Sequence, residues 1–327
     1  MVFVESLRLS RFRGIRESEN IKFSKFTVLI GRNNSGKTSI LEALSLLSST
    51  EYYYYTSANI PAIGKSPRQL VASLHGGLSF AYNYTGYTTI KYNVRGREVG
   101  FTLDAEGKRR MLYPSSEEEF RKFLMSVFGV GSVDELAYQV LFVPDDSGFL
   151  RDLQKGIISK SVWFRVVDSN AHKTAIDVIS GTVYDKFTEI LVQFDELSVR
   201  KELPGRGPIY PRVYDLGEGI ERVLTVVLWL ETFKPKIVLW DDIEVAAHPG
   251  LIESVLRWLS SRDWQVIIST HSFDVLDRLV AIRPKDASVT VLSKDSSDRL
   301  TCKVLELDEV EDYFSKGIDI RKTLELL

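Results

Sequence analysis

The chain is poor in the residues that build covalent or metal-held frameworks. It has a single cysteine, Cys302, and four dispersed histidines, His75, His172, His248 and His271, with no zinc-site spacing among them. One cysteine cannot close an internal disulfide, which suits a reducing compartment such as the cytoplasm. Long apolar runs are missing as well. The most apolar stretch, Leu224–Leu230, falls far short of the ~20 residues that span a bilayer, so no membrane partner is expected. The opening MVFVESLRLSRFRG is charged and carries no signal-peptide apolar stretch. Nor is there an excess of charge. The 42 basic and 44 acidic residues leave a net charge of −2, so any attraction to nucleic acid must be local. No repeat, heptad run or low-complexity linker is present, which excludes a long coiled-coil arm. What is there, 44% apolar and 26% charged residues over 327 positions, is the balance of a globular protein of one large or two small domains.

Periodicity divides the chain into three regions. Residues 2–10 alternate as a strand does, and residues 21–30 predict a second strand ending in Phe26–Ile30. Ser39–Leu47 sets Ile40, Leu41, Leu44 and Leu47 on one helical face. Residues 51–113 contain the Tyr52–Tyr55 cluster and β-rich pieces at 77–84, 88–94 and 99–103, and predict two or three antiparallel strands. A helix opens at Pro114-Ser-Ser with three glutamates in its first turn and runs through Val127. A strand at 140–143, a helix near 174–194 and a Pro/Gly loop at 203–211 follow. Then helix 220–233, strand 236–240, helix 249–260, strand 265–269 and helix 272–281 alternate, which argues a parallel sheet covered by helices. Residues 288–292 and 301–305 predict a terminal antiparallel pair. The expected fold class is α/β, a mixed sheet with helices on its faces. Its core comes from 1–50 and 201–327, and 51–200 form a β-rich insertion and helical lid.

The segment joining the second strand to the first helix carries the sharpest chemistry. Gly31-Arg32-Asn33-Asn34-Ser35-Gly36-Lys37-Thr38, followed by Ser39, satisfies every fixed position of the phosphate-loop pattern. The glycines let the backbone turn so that its N–H groups face phosphates, and the following helix turns its positive end to the same anion. Lys37 is expected to reach the β/γ-phosphates of ATP, and Thr38 to place its hydroxyl on Mg²⁺. The alternative is a chance glycine-rich turn. A strand before and a helix after argue against it.

Two later strands end in polar residues where ligands bind in such sheets. Lys236–Trp240 runs into Asp241, Asp242 and Glu244. Asp241 is the expected Mg²⁺ carboxylate, and Asp242 or Glu244 would orient a hydrolytic water. Taken alone, these acids read equally as a solvated turn. Trp264–Ser269 ends at Thr270-His271-Ser272. His271 is either a hydrogen-bond donor to a γ-phosphate, whose charge grows in the transition state, or a neighbour of the N-cap Ser272. His75 and His172 read as plain surface or core residues, and His248 is left open.

With these residues in order, the sequence resembles ABC-type ATPases of the RecF, SMC and OLD (overcoming lysogenization defect) lineage, a class of P-loop NTPase heads. Leu7–Gly14 is similar to the group's first strand and FRG turn, which places Arg13 among the nucleotide-binding residues. Gly31–Ser39 resembles its Walker A, Ile237–Pro249 its Walker B and Ser269–Ser272 its switch-histidine segment. Tyr214–Arg222 resembles its signature, with Leu216, Gly217, Glu218 and Gly219 at the nucleotide. The tail Gly317-Ile-Asp-Ile-Arg321 resembles that of small stand-alone members. The resemblance implies a face-to-face homodimer around two ATP molecules, in which each signature closes on the partner's γ-phosphate. Two departures stand out. No serine lies near Gly217 or Glu218, and Asp242 stands where glutamate is more common. Hydrolysis is therefore expected to be slow or partner-stimulated. For the loop that supplies a further Mg²⁺ contact, Asp145 and Asp146 are the candidates.

Two kinds of partner fit. DNA, in repair or defence, would use Arg8, Arg11, Arg13, Arg16, Lys22 and Lys25 with Arg95, Arg97, Lys108, Arg109 and Arg110; the alternative is that such residues protect strand edges. A separate protein effector such as a nuclease or toxin would dock on a patch such as Tyr52–Tyr55, although such a run also reads as packing. A transporter-type subunit is disfavoured by the FRG opening and the absence of a transport-type signature.

Overall fold

Strands that are apolar at every position need cover on both faces. Such strands organise the computed structural model, which describes residues 1–49, 58–75, 80–104 and 107–321. Along the chain β1 (Val4–Phe12), β2 (Ile15–Ser18), β3 (Ile21–Lys22) and β4 (Phe26–Gly31) precede α1 (Lys37–Ser45) and α2 (Pro67–Leu74). Then come β5 (Thr88–Val94), β6 (Arg97–Leu103), β7 (Arg109–Tyr113), α3 (Glu117–Phe128), α4 (Val133–Leu136) and β8 (Val140–Val143). Three helices, α5 (Ser147–Ile157), α6 (Lys160–Asp168) and α7 (Ala171–Ser180), lead to a hairpin of β9 (Phe187–Gln193) and β10 (Glu196–Lys201). The last third alternates: α8 (Glu218–Phe233), β11 (Ile237–Trp240), α9 (Pro249–Ser261), β12 (Gln265–Ser269), α10 (Phe273–Ile282), β13 (Ala287–Lys294), β14 (Arg299–Glu306) and α11 (Leu307–Ser315).

Twelve strands form one mixed sheet in the order β7-β6-β5-β1-β2-β14-β13-β4-β12-β11-β8, with β3 paired to β1. From β13 to β8 the neighbours are parallel; β1 pairs antiparallel with β2 and β5. Residues within 51–200 contribute to both edges, β5–β7 at one and β8 at the other.

Alternate residues of the parallel strands feed two cores. Val28, Ile30, Val238, Trp240, Val266 and Ile268 pack beneath α5 to α10. Leu29, Leu239 and Ile267 pack on the other face with Ile40, Leu41 and Leu44 of α1 and Phe120 and Leu124 of α3. α8 is enclosed: Val223, Leu224, Val226–Leu230 and Phe233 are all buried, so it is apolar nearly all round, as a helix with cover on every side must be.

The helix expected near 174–194 ends at Ser180, and 187–193 is strand β9 instead. A short run with Phe187 and Ile190 as its buried residues fits either period, and pairing with β10 decides it. The strand expected at 77–84 is also absent from its described part: Tyr82–Tyr84 make a 3₁₀ turn, with Asn83 and Tyr84 at positive φ. The strand that completes that region is β7, which was not anticipated. The Tyr52–Tyr55 cluster lies outside the described residues. Among those residues no helix is long and apolar enough to cross a membrane.

Candidate active site

Parallel register brings β4, β8, β11 and β12 to a common C-terminal edge, where Leu29 lies beside Ser269 and Trp240 beside both Ile268 and Val143. At this edge β4 turns into α1 through the glycine-rich loop. Gly36 caps α1 at φ +96°, a left-handed value that glycine adopts without strain. A Cβ on Gly31 would lie 2.6 Å from the Leu292 carbonyl oxygen, so only glycine lets β13 run so close. Asn33 to Ser39 and His271 line a cleft of about 300 Å³. Arg32 and Asn33–Ser35 also line a second cleft of about 240 Å³ with Leu292, Ser293, Lys294 and Arg321. Backbone N–H groups at the start of α1 have no carbonyl partner within the helix, which favours an anion there.

Lys37 is buried and curls back on the loop, donating to the Gly31 and Arg32 carbonyl oxygens at 3.1 and 3.3 Å. Burial lowers its pKa from the ordinary lysine value, and the carboxylates of Asp242, Asp241 and Glu244 pull in the opposite direction. Thr38 Oγ1 donates to Asp241 Oδ2 at 2.8 Å. The other oxygen of Asp241 accepts from Ser269 Oγ at 2.5 Å. The same Ser269 oxygen accepts the Asp242 N–H at 2.8 Å, so one hydroxyl fixes both carboxylate residues. Asp242 sits at φ +42°, a strained left-handed value for a non-glycine residue. Its Oδ1 lies 3.9 Å from His271 Nε2. Glu244 Oε1 accepts the His271 N–H at 2.6 Å, while its Oε2 is buried with no protein hydrogen-bond partner.

A cluster of oxygen donors without sulfur or imidazole at its centre suits a hard cation. The adjacent Thr38 hydroxyl and Asp241 carboxylate fit the ligands through which Mg²⁺ is commonly held on a phosphate loop.

Not every expected residue faces this cleft. Arg13 is drawn to α1, its Nε 3.1 Å from Glu42 Oε2 and its guanidinium 5.1 Å from the Phe80 ring centre. Leu216, Gly217, Glu218 and Gly219 lie at the start of α8, and none lines the phosphate-loop cleft of its own chain. Gly217 adopts φ +94°, and a Cβ on Gly219 would overlap the Ala246 carbonyl, so both glycines have a structural reason. Asp145 is paired with Arg222 at 2.9 Å, and Asp146 caps α5 through the Phe149 N–H at 2.5 Å. His248 caps α9 through the Gly250 N–H at 3.2 Å, and His75 meets buried Glu42.

Several contributors were not singled out from the sequence. Ser269 had a signal, since it is polar at the end of an apolar strand, but its partners depend on register. Arg222, 6% exposed, donates to Asp145, the Pro144 carbonyl and the Asp241 carbonyl at 2.9, 3.3 and 3.3 Å, tying α8 to the ends of β8 and β11. Nothing in the sequence around Arg222 announces these contacts, because all three partners come from distant segments.

The family described as "AAA ATPase domain" matches residues 3–95, which hold the phosphate loop. The family described as "AAA domain, putative AbiEii toxin, Type IV TA system" matches residues 153–277, which hold Asp241, Asp242 and His271. No curated protein matches. Among solved structures, an SMC head bound to the C-winged helix domain of ScpA is similar, with TM-score 0.61 and 14% identity, over 94% of this chain and 99% of that one. An SMC head with an extended coiled coil, bound to the C-terminal domain of ScpA and derived from Pyrococcus furiosus, gives 0.59 and 13% over 97% and 99%. The SMC head domain from Thermotoga maritima gives 0.54 and 17% over 93% and 100%. At such identities the likeness is one of fold. The two family matches, each over less than half of the chain, cover the two halves of the site, and the fold is that of an SMC head, so the chain is similar in both respects to ABC-type ATPase heads.

Proposed function

We propose that the chain binds MgATP and hydrolyses it by attack of water on the γ-phosphate. The contact between Thr38 and Asp241, 203 residues apart in sequence, carries this reading. It sets a phosphate loop and a metal-type carboxylate at one point. In this reading Asn33–Ser39 hold the phosphates, and Lys37 leaves its two carbonyls for the β/γ-phosphate oxygens. Mg²⁺ held by Thr38 and Asp241 would offset charge on the transferring phosphoryl group. Asp242 orients the attacking water and takes its proton as the bond to ADP breaks. His271, facing Asp242 across the cleft mouth, donates to the γ-phosphate. Glu244 serves these two by holding the His271 backbone, which favours Asp242 over Glu244 for the water. One methylene shorter than glutamate, Asp242 reaches less far, consistent with slow turnover.

The reading extends to a homodimer. Gly217 and Glu218 are exposed at the N-terminus of α8 and away from their own cleft, free to meet the nucleotide of a second copy. ATP would then favour the dimer by binding both chains. A protein effector is the partner we favour. Two of the similar SMC heads are bound to ScpA domains, and several basic residues considered for DNA are engaged within the chain. Arg109 is paired with Glu117 at 2.6 Å, Arg13 lies on Glu42, and Arg8 is 3.7 Å from Glu17.

Calorimetric titration of MgATP into the wild-type chain and Lys37→Ala tests the assignment. Binding is expected for wild type, with at least about 100-fold weaker affinity in the variant, because a charge-assisted contact to phosphate is removed. Equal affinities would sink the assignment. Asp242→Asn is expected to keep binding and lose turnover.

A further inference from the structure

His271 belongs to neither β12 nor α10, yet its backbone is gripped from two sides. Glu244 holds the N–H at 2.6 Å. The carbonyl oxygen accepts from Arg321 Nη1 at 2.8 Å, across 50 residues of sequence. Arg321 is itself prepared for that bond. After α11 the chain turns at Gly317, φ +67°, and the Ile320 side chain is fully buried. Asp319 then takes Arg321 Nε and Nη2 through its two carboxylate oxygens, both at 2.8 Å, and its Oδ1 also accepts the Arg321 N–H at 3.1 Å. A guanidinium is planar, so fixing one edge on a carboxylate fixes the direction of the remaining nitrogen. That nitrogen points at His271. The bond thus falls on the peptide that carries a histidine lining the phosphate-loop cleft.

We propose that Arg321 is a positioning residue for His271. It fixes the peptide from which the imidazole faces Asp242 and the phosphate-loop cleft, making Gly317–Arg321 part of the nucleotide site. The inference rests on the MgATP reading above and deepens it. With both backbone groups held, the imidazole is aimed before the nucleotide arrives, so little reorganisation is left for the moment when charge grows on the γ-phosphate. Arg321 also lines the second cleft beside Arg32 and Asn33, so a direct contact with nucleotide is the competing role, and the test must separate the two.

A double-mutant cycle on the full chain does so, using Arg321→Ala, His271→Ala, the pair together, and Arg321→Lys. For each, affinities for MgATP and MgADP are measured by titration calorimetry, and melting temperature is measured without nucleotide. Arg321→Ala is expected to keep MgADP affinity and melting temperature close to wild type, and to lower the preference for ATP over ADP by about tenfold, the scale of one weakened hydrogen bond to a charged group. In the His271→Ala background the same change should have no further effect, because both substitutions remove one contact. Arg321→Lys, which retains a cationic donor, should recover part of the preference. Additive losses would overturn the proposal in favour of direct contact with nucleotide. A wild-type preference in Arg321→Ala would overturn it while leaving the MgATP reading intact. If the wild-type chain did not bind MgATP, the underlying reading itself would fall.

Discussion

Asp241 is 5% exposed, and its carboxyl pKa is pushed up to about 6. Burial is the main cause, and Asp242 adds to it, while hydrogen bonds from Ser269 and Thr38 pull the other way. The ordinary value is 3.8, so between roughly pH 4 and pH 6 the folded chain keeps a proton that the unfolded chain has released. Stability without metal is therefore greater below this window and falls as pH rises through it. Asp241→Asn cannot ionise. It should raise the melting temperature of the nucleotide-free chain at pH 7.5, by up to about 3 kcal/mol of stability, and change it little at pH 4. Thermal scans at the two pH values check this; equal effects at both would contradict it. Because a metal must displace that proton, Mg²⁺-dependent nucleotide binding should weaken below pH 6, by up to about tenfold per unit. Ser269→Ala should act on the same pair from the other side. It leaves the Asp242 N–H and an Asp241 oxygen without their partner, a loss of about 1–3 kcal/mol that denaturant titration would read.

At the scale of elements, α8 joins the site to the core. Arg222 reaches the ends of β8 and β11 from its first turns, and further along the helix Glu231 accepts from Trp258 Nε1 of α9 at 2.6 Å. Gly219 permits this placement, since a methyl group would strike the Ala246 carbonyl in the loop that follows Asp242 and Glu244. Gly219→Ala should therefore cost about 1–3 kcal/mol as overpacking does, despite the better helix propensity of alanine. An unfolding free energy equal to wild type would rule out the close approach. Much of this region was legible from its residues. The alternation from 220 to 281 is observed within about two residues at each boundary, because strands covered on both faces and amphipathic helices write different periods. The hairpin at 187–201 was not legible, because its second strand and its turn, not the residues of 187–193, decide against a helix.

For the molecule as a whole, the prediction concerns assembly. If ATP joins two chains, Asp242→Asn with MgATP should double the solution mass from 37.2 kDa, and ADP should not; light scattering after size-exclusion chromatography would show it. A mass unchanged by ATP would leave a monomeric switch. DNA makes a different prediction. Binding through local basic residues should fall steeply between about 50 and 200 mM salt. With Arg13 and Arg109 committed to Glu42 and Glu117, only weak binding is expected in filter or anisotropy assays. Tight salt-dependent binding would restore DNA as the partner.

The sequence by itself determined the local chemistry: a glycine-rich loop between strand and helix, acids at the end of one apolar strand and a histidine at the end of another. These follow from residue type and near-neighbour spacing, because phosphate loops and strand ends are local structures. It did not determine which groups meet. Ser269 on Asp241, Arg222 on the Asp241 carbonyl, Arg13 on Glu42 and Arg321 on His271 join residues between 19 and 50 positions apart. Such contacts depend on strand order and register, which many sequences of the same local pattern would satisfy differently. Only the tertiary structure decides them, because burial against distant strands leaves each of these polar groups few other partners.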